Sequence, residues 1–139
     1  MPRLSAFATV FCAFLSAPTL AATTIYECQI KKARSGDWIP ETLFLAHDTT
    51  TGEVLVSDPI IFYYNEERPL PAEMEVENAK RTTFRWRLQQ VVNRSGQRAV
   101  DFRFRATFFT RNNSIVVTSQ PAGFSNTFRG KGACTLTTE

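Results

Sequence analysis

Four arginines alternate with large apolar residues along two neighbouring segments of the chain: Arg85, Arg87, Arg103 and Arg105. Such alternation predicts two strands, each with an apolar face toward a core and a charged face toward solvent. Because guanidinium groups bind phosphates and carboxylates through paired hydrogen bonds, this face is a candidate anion-contacting face for a phosphate, a carboxylate, an acidic sugar or a lipid headgroup.

The register of these two strands follows from a turn centred on Ser95. It places Trp86 opposite Phe104, Leu88 opposite Phe102, Arg87 opposite Arg103, and Arg85 opposite Arg105. Large apolar groups then stack on the buried face, whereas directly opposed arginines on the other face repel one another. The arginines therefore require neutralisation.

Neutralisation is available within the sequence, because Glu73, Glu75 and Glu77 alternate with Met74 and Val76 just upstream. A turn over residues 78–82 would pair Glu77 with Arg85 and Glu75 with Arg87, and would set Met74 and Val76 beside Leu88 and Trp86. The face is then a charge ladder that favours one register. The anion-site interpretation stays open, because Arg103 and Arg105 lie farther from the glutamates.

Three aromatic residues are candidates for partner contacts: Trp38, Tyr63 and Tyr64. Exposed aromatics beside loops contact partners, but they also cap the ends of barrels and sandwiches. The only histidine, His47, lies either on the inward face beside Leu45 or at the mouth of the next turn, and a structural role is expected.

No motif supports catalysis. The chain lacks Gly-x-Ser-x-Gly, a partnered cysteine nucleophile and a His-rich metal signature, so we expect no catalytic, metal or cofactor residues and no enzyme. An enzyme without a recognisable motif stays an alternative, because two acids can come from distant strands.

The elements that must position these residues are strands separated by turns. Glycine, proline and asparagine fall between segments rich in Val, Ile, Thr and Phe. The candidate strands are Thr24–Lys32, Thr42–Asp48, Glu53–Ser57, Ile60–Tyr64, Glu73–Glu77, Thr82–Val92, Arg98–Thr110, Ile115–Gln120 and Ala133–Thr137. We predict one all-β domain over 23–139, an antiparallel meander that forms a small barrel or a two-layer sandwich.

The first 22 residues have the pattern of a cleavable signal peptide. Arg3 precedes an apolar run, Pro18 ends it, and Ala21 and Ala22 offer a cleavage site. We expect export to the periplasm or the medium, with no transmembrane segment after cleavage. Cys28 and Cys134 then remain, and an oxidising compartment favours a disulfide that joins the terminal strands.

Charge limits the class of partner. Loss of Arg3 leaves 15 basic residues (16 minus one) against 13 acidic ones. This mild excess is far from the dense basic field of a dedicated nucleic-acid binder, so nucleic acid is not an expected partner. An envelope protein or an anionic ligand suits the balance better.

Several segments resemble a family of small exported proteins of Gram-negative bacteria whose members have no assigned function. They are Asp58-Pro59-Ile60-Ile61, residues 79–86, residues 123–128 and Gly132-Ala133-Cys134. The resemblance implies a periplasmic location and transfers no site. The chain is more distantly similar to the periplasmic C-type lysozyme inhibitors, small β-barrels that join an early cysteine, as in Tyr26-Glu27-Cys28, to a late one. Their inhibitory motifs are missing, and a basic protein suits a basic lysozyme poorly.

Together these features predict a non-enzymatic exported module that binds an unidentified ligand or associates with the envelope. A periplasmic protein inhibitor or assembly partner is the alternative.

Overall fold

The structure is a closed barrel of eight antiparallel strands in chain order, completed where β8 pairs with β1. It is a computed structural model that describes residues 22–32, 37–92, 95–96 and 98–139. The strands are β1 (Thr23–Lys32), β2 (Thr42–Asp48), β3 (Val54–Ser57), β4 (Leu70–Glu77), β5 (Arg81–Val92), β6 (Arg98–Phe109), β7 (Ser114–Pro121) and β8 (Phe128–Thr138), with a short helix α1 (Pro59–Tyr64) between β3 and β4. The predicted all-β meander is confirmed, and it forms a barrel. Apart from Ala22, the predicted signal peptide lies outside the described residues.

The barrel interior is filled by the apolar faces of its strands. Trp86 lies opposite Phe104, and their rings stack with centroids 5.4 Å apart and planes within 2°. Tyr26 from β1 meets Phe84 edge-on, with ring centroids 5.3 Å apart. The predicted β5–β6 register is confirmed for all four opposed pairs. Because strand alternation puts these aromatics inside, the arginines necessarily lie outside.

The first and last strands are joined covalently and packed closely. Cys28 lies directly opposite Cys134, and the two form the predicted disulfide. The predicted strand over Ala133–Thr137 leaves Gly130 and Gly132 outside it, but β8 begins five residues earlier and contains both glycines. A Cβ at Gly132 would lie 1.9 Å from the backbone oxygen of Gln29, so glycine permits the close approach of the two backbones here.

The predicted strand over Ile60–Tyr64 is wrong, because this segment forms α1. Asp58 is the N-cap, and its Oδ1 accepts a hydrogen bond of 2.8 Å from the backbone N–H of Ile61. Pro59 occupies the first turn, where its fixed φ suits a helix and its missing N–H costs nothing. Ile61 is fully buried under this turn. No helix in the described part of the chain is long and apolar enough to cross a bilayer.

The predicted register between β4 and β5 is also wrong. The Asn78 side-chain oxygen accepts hydrogen bonds from the backbone N–H groups of Lys80 and Arg81, which makes a tight turn. Glu77 therefore pairs with Thr82 instead of Arg85, and the register shifts again between Met74 and Val76 at a bulge.

The bulge also changes which residues of β5 lie opposite the inward side chains of β4. Met74 packs against the core opposite Phe84, whereas Val76 lies opposite Thr83 and not beside Trp86. Residues 70–77 still alternate regularly between partly buried and exposed, so the bulge shifts the partners of β4 along β5 and does not reverse the faces of β4.

Candidate functional site

A cleft opens in the barrel wall where β4 separates from β5. The ladder between them runs from Glu77↔Thr82 to Glu73↔Arg85 and stops there. Beyond that point β4 continues to Leu70 paired with β3, and β5 continues paired with β6. Residues 70–72 and 86–88 are all described, and no ladder pair joins them.

Proline explains part of this separation. If the register of Glu73↔Arg85 continued, Pro71 would lie opposite Arg87. Proline has no backbone N–H, so a ladder through this position would lack a donor. The β4 backbone instead follows β3, where Pro71 lies opposite Leu55.

The cleft has a volume of about 500 Å³, within the range of small-molecule sites. It has an apolar part and a charged part, and its lining residues are Leu70, Pro71, Glu73, Arg85, Trp86, Arg87, Arg103 and Phe104. Three of the four predicted arginines therefore share one concave surface. Arg105 lies outside this lining.

Three of the four arginines form ion pairs, although not the predicted ones. The Arg85 Nε and Nη2 atoms both donate to Glu73 Oε2, at 3.0 and 2.8 Å. Arg105 Nε donates to Glu75 Oε2 at 2.7 Å.

Arg87 pairs with Asp101, a β6 residue whose side chain is only 14% exposed. The predicted ladders Glu75–Arg87–Arg103 and Glu77–Arg85–Arg105 are thus wrong, because the tight turn at Asn78 and the bulge move every glutamate relative to β5.

Arg103 differs from its neighbours. Among the side chains that the structure describes, no carboxylate forms an ion pair with it. It lies opposite Arg87 on β5 and opposite Gln120 on β7, so its flanking strands supply no negative charge at this level. The lining of the cleft thus contains three arginines and one acidic residue, Glu73.

The ion pairs also show in the pKa values of the groups that form them. Hydrogen bonding to Glu73 raises the pKa of Arg85, and hydrogen bonding from Arg105 lowers the pKa of Glu75. Arg85 and Glu73 are both more than half exposed, so solvent screens their ion pair and it stabilises the fold only weakly. A stronger acceptor entering the cleft can therefore replace Glu73 on Arg85.

Trp86, one of the lining residues, carries a buried polar group. The Trp86 Nε1 donor is buried and has no hydrogen-bond partner among the described residues. A buried donor without a partner costs about 1–3 kcal/mol. The indole also joins the cleft to the core through its stack on Phe104.

The other predicted contact residues lie at one end of the barrel. Trp38 packs on Phe102, with centroids 4.8 Å apart, and near Tyr64 at 6.1 Å, and its carbonyl oxygen accepts a hydrogen bond from Ser119. Trp38 and Tyr64 thus cap this end, whereas the neighbouring Tyr63 is 80% exposed. His47 is buried on the inward face of β2.

Leu70, Pro71 and Asp101 are the site residues that the sequence analysis missed. Asp101 could have been identified from the sequence, because it lies two residues from Arg103 on the same outward face, diagonal to Arg87. The sequence does not indicate that Leu70 and Pro71 belong to the site, because they reach it only where the β4–β5 ladder ends.

No group of three or more histidine, cysteine or acidic side chains in the described ranges is arranged to hold a metal ion. No family model matches the chain, and comparisons with curated proteins and with solved structures likewise find no match.

Proposed function

We propose that the protein is a non-enzymatic, exported binding module of the cell envelope, and that its ligand places an anionic group in the cleft between β4 and β5. The observation that carries this proposal is Arg103, a guanidinium in the lining of a concave site without an acidic partner among the described residues. Arginine binds phosphate and carboxylate through charge-assisted hydrogen bonds, which are about twice as strong as neutral ones.

The arrangement around Arg103 supports the same ligand chemistry. Arg85 is held by an exposed glutamate that an anion can displace, and Arg87 is held by the more buried Asp101. We therefore assign Arg103 the first contact with the anion and Arg85 the second. Leu70 and Pro71 on the opposite wall contact an apolar part of the same ligand.

Export rests on separate features. Residues 1–22 have the pattern of a signal peptide, and the Cys28–Cys134 disulfide suits an oxidising compartment. The resemblance to small exported proteins of Gram-negative bacteria favours the periplasm.

A fluorescence titration tests the anion site. The chain has two tryptophans, so a Trp38→Phe background leaves Trp86 in the cleft as the only indole. Glycerol phosphate is the probe, and glycerol is the uncharged control. We expect saturable binding of the phosphate alone, weakened roughly tenfold or more by Arg103→Gln, because a hydrogen bond to a charged group contributes about 1.5–3 kcal/mol.

Arg129→Gln is the matched control variant. It also removes one positive charge from an exposed strand position, but on β8, away from the cleft. Its affinity should stay near that of the parent. Equal losses of affinity in the two variants would mean that net charge, and not the position of Arg103, explains the effect. The absence of saturable binding would refute the site.

Glu73→Gln tests the role of Arg85. Removal of the carboxylate releases this guanidinium, so affinity for glycerol phosphate should rise a few-fold, in line with the small energy of an exposed pair. Weaker binding in this variant would mean that Glu73 contacts the probe itself.

A further inference from the structure

Part of β5 has backbone groups without a partner strand. At the start of the β4–β5 ladder, the backbone N–H of Asn78 donates to the carbonyl oxygen of Arg81, so the backbone groups of Arg81 point toward β4. Successive residues of a strand point these groups to alternate neighbours, and the β5–β6 register is unbroken, so the N–H and C=O groups of Arg87 and Gln89 also point toward β4. In the described ranges, no ladder pair and no backbone hydrogen bond from β4 or from the nearby helix α1 reaches them.

Two prolines prevent β4 from pairing with this part of β5. Continuing the β4–β5 register beyond its last pair would place Pro71 opposite Arg87. It would likewise place Pro69 opposite Gln89. Neither proline has the N–H that the opposite carbonyl oxygen requires, so β4 cannot complete the ladder. An open edge of this kind is a template on which a strand of another chain can pair.

The gap beside this edge is closed at one end. Glu73 of β4 occupies the pairing position at Arg85, whereas no described residue of β4 pairs with β5 from there to Val92. A strand added to the edge must therefore end near Arg85. The cleft lining there contains three arginines and one glutamate, so it attracts a C-terminal carboxylate and repels a protonated N-terminus. A strand whose C-terminus lies at this end runs antiparallel to β5.

We infer that the C-terminal tail of a partner protein adds to β5 as an antiparallel strand, with its last residue opposite Arg87 and its terminal carboxylate among the arginines of the cleft. This inference rests on the proposed anion site, because that carboxylate is the anion. Backbone hydrogen bonds supply affinity in this mode of binding, and alternate side chains supply specificity. Pairing of β5 with β5 of a second copy does not fit, because Arg85 and Arg87 of both copies would lie together.

Strand alternation specifies the residue before the last one. It lies opposite Leu88, whose side chain is buried in the barrel, so its own side chain points inward. Leu70, which lines the cleft, would lie at the same level if the β4 register continued. An apolar penultimate residue therefore packs between Leu70 and Leu88.

Synthetic peptides test strand addition, with the fluorescence of Trp86 in the Trp38→Phe protein as the signal. The probe is acetyl-Thr-Val-Thr-Val-Thr with a free carboxylate, and the same peptide with a terminal amide lacks the charge. The amide should bind roughly tenfold or more weakly, because it loses charge-assisted hydrogen bonds. The absence of saturable binding of the probe, or equal binding of the acid and the amide, would overturn the inference.

N-methylation separates strand pairing from charge. In the inferred register, the N–H of the last threonine donates to the carbonyl oxygen of Arg87, whereas the N–H of the preceding valine points away from β5. A methyl group on the threonine nitrogen should weaken binding roughly fivefold or more. A methyl group on the valine nitrogen is the matched control and should leave the affinity near that of the unmodified peptide. Equal effects of the two methyl groups would contradict pairing with β5.

Gln89→Pro tests the same edge on the protein. It removes an N–H that faces the gap and leaves the β5–β6 hydrogen bonds in place, whereas Gln89→Ala keeps that N–H and is the control. Only the proline variant should lose affinity for the peptide, roughly fivefold or more, and circular dichroism should show the barrel intact in both. An intact proline variant that binds the peptide like the parent would overturn strand addition.

Glycerol phosphate separates this inference from the proposed function. Both Gln89 variants should bind it like the parent, because Gln89 does not line the cleft. If glycerol phosphate binds at Arg103 and the peptide does not bind, strand addition is overturned and the anion site stands. Peptide binding that Arg103→Gln leaves unchanged would overturn the place assigned to the carboxylate. If neither probe binds, both proposals are refuted.

Discussion

Replacing Asp58 with asparagine should stabilise the protein near neutral pH and leave its stability in acid almost unchanged. Asp58 caps α1 and is only 2% exposed. Its Oδ1 accepts from the Ile61 N–H, whereas its Oδ2 is buried without a partner among the described residues. Burial raises the pKa of this carboxyl from 3.8 to about 6, with backbone hydrogen bonds from Ile61 and Ile60 acting in the opposite direction.

The sign of the pH dependence follows from linkage. The folded state binds the Asp58 proton more tightly than the unfolded chain does. The stability that this proton contributes is therefore fully present below the unfolded pKa of 3.8, and it is lost as the pH rises through the folded pKa of about 6. That difference in pKa corresponds to about 3 kcal/mol, most of it between about pH 4 and pH 6. Asparagine caps a helix as well as aspartate and has no charge to bury.

Urea unfolding of the wild type and Asp58→Asn across this pH range measures the difference. The two curves should nearly coincide at about pH 4 and separate by up to about 3 kcal/mol at about pH 7, with the variant more stable. Glu53→Gln, in the exposed turn before β3, is the control and should keep the wild-type pH dependence. Parallel curves for the wild type and Asp58→Asn would show that Asp58 is ionised and well solvated in the folded state, which would refute the reasoning.

Two further predictions concern the closure of the barrel. Replacing Cys28 and Cys134 with alanine should lower the free energy of unfolding by about 5 kcal/mol, because the disulfide closes a loop with a sequence separation of 106. Urea unfolding of the wild type should show a similar loss when a reductant is added. Unchanged stability after reduction would contradict this. Gly132→Ala should cost about 2–3 kcal/mol or more, because its Cβ meets the backbone of Gln29, whereas Gly130→Ala should cost less because its two closest contacts are side-chain methyl groups of Ile30 and Ile39. The reverse order of urea midpoints would show that β1 and β8 do not approach as closely as described.

The β5–β6 hairpin could be predicted from sequence because the pattern that specifies it lies within one short segment and is repeated along both strands. Each strand alternates over many residues, and a single turn length sets every opposed pair. Cys12 lies in the predicted signal peptide, and the other two cysteines allow only one disulfide. In both cases the sequence allows few alternative pairings. The structure confirms the predicted β5–β6 register and the predicted disulfide.

The errors arise where a single residue changes the pattern. The bulge between Met74 and Val76 leaves Glu73, Glu75 and Glu77 alternating in the sequence and exposed, so periodicity cannot reveal that their partners on β5 change. In α1, the apolar composition of residues 60–64 favours a strand, and only the Asp58-Pro59 pair, an N-cap followed by proline, indicates a helix. The cleft could not be predicted at all, because it depends on where the β4–β5 ladder stops.

The cleft and the arginine face have a common origin in the imperfect wall of the barrel. If Pro71 and the bulge were absent, β4 could pair with β5 along its whole length, and residues 70–72 would cover the backbone of residues 86–88. The glutamates of β4 would then keep one register along β5, as a plain alternating pattern predicts, and a continuous charge ladder would occupy the arginines. With the ladder interrupted, Glu75 instead forms an ion pair with Arg105, and Asp101 forms one with Arg87. Arg103 is left beside an open cleft, so the two features that disrupt the wall also create the site to which we assign the anion.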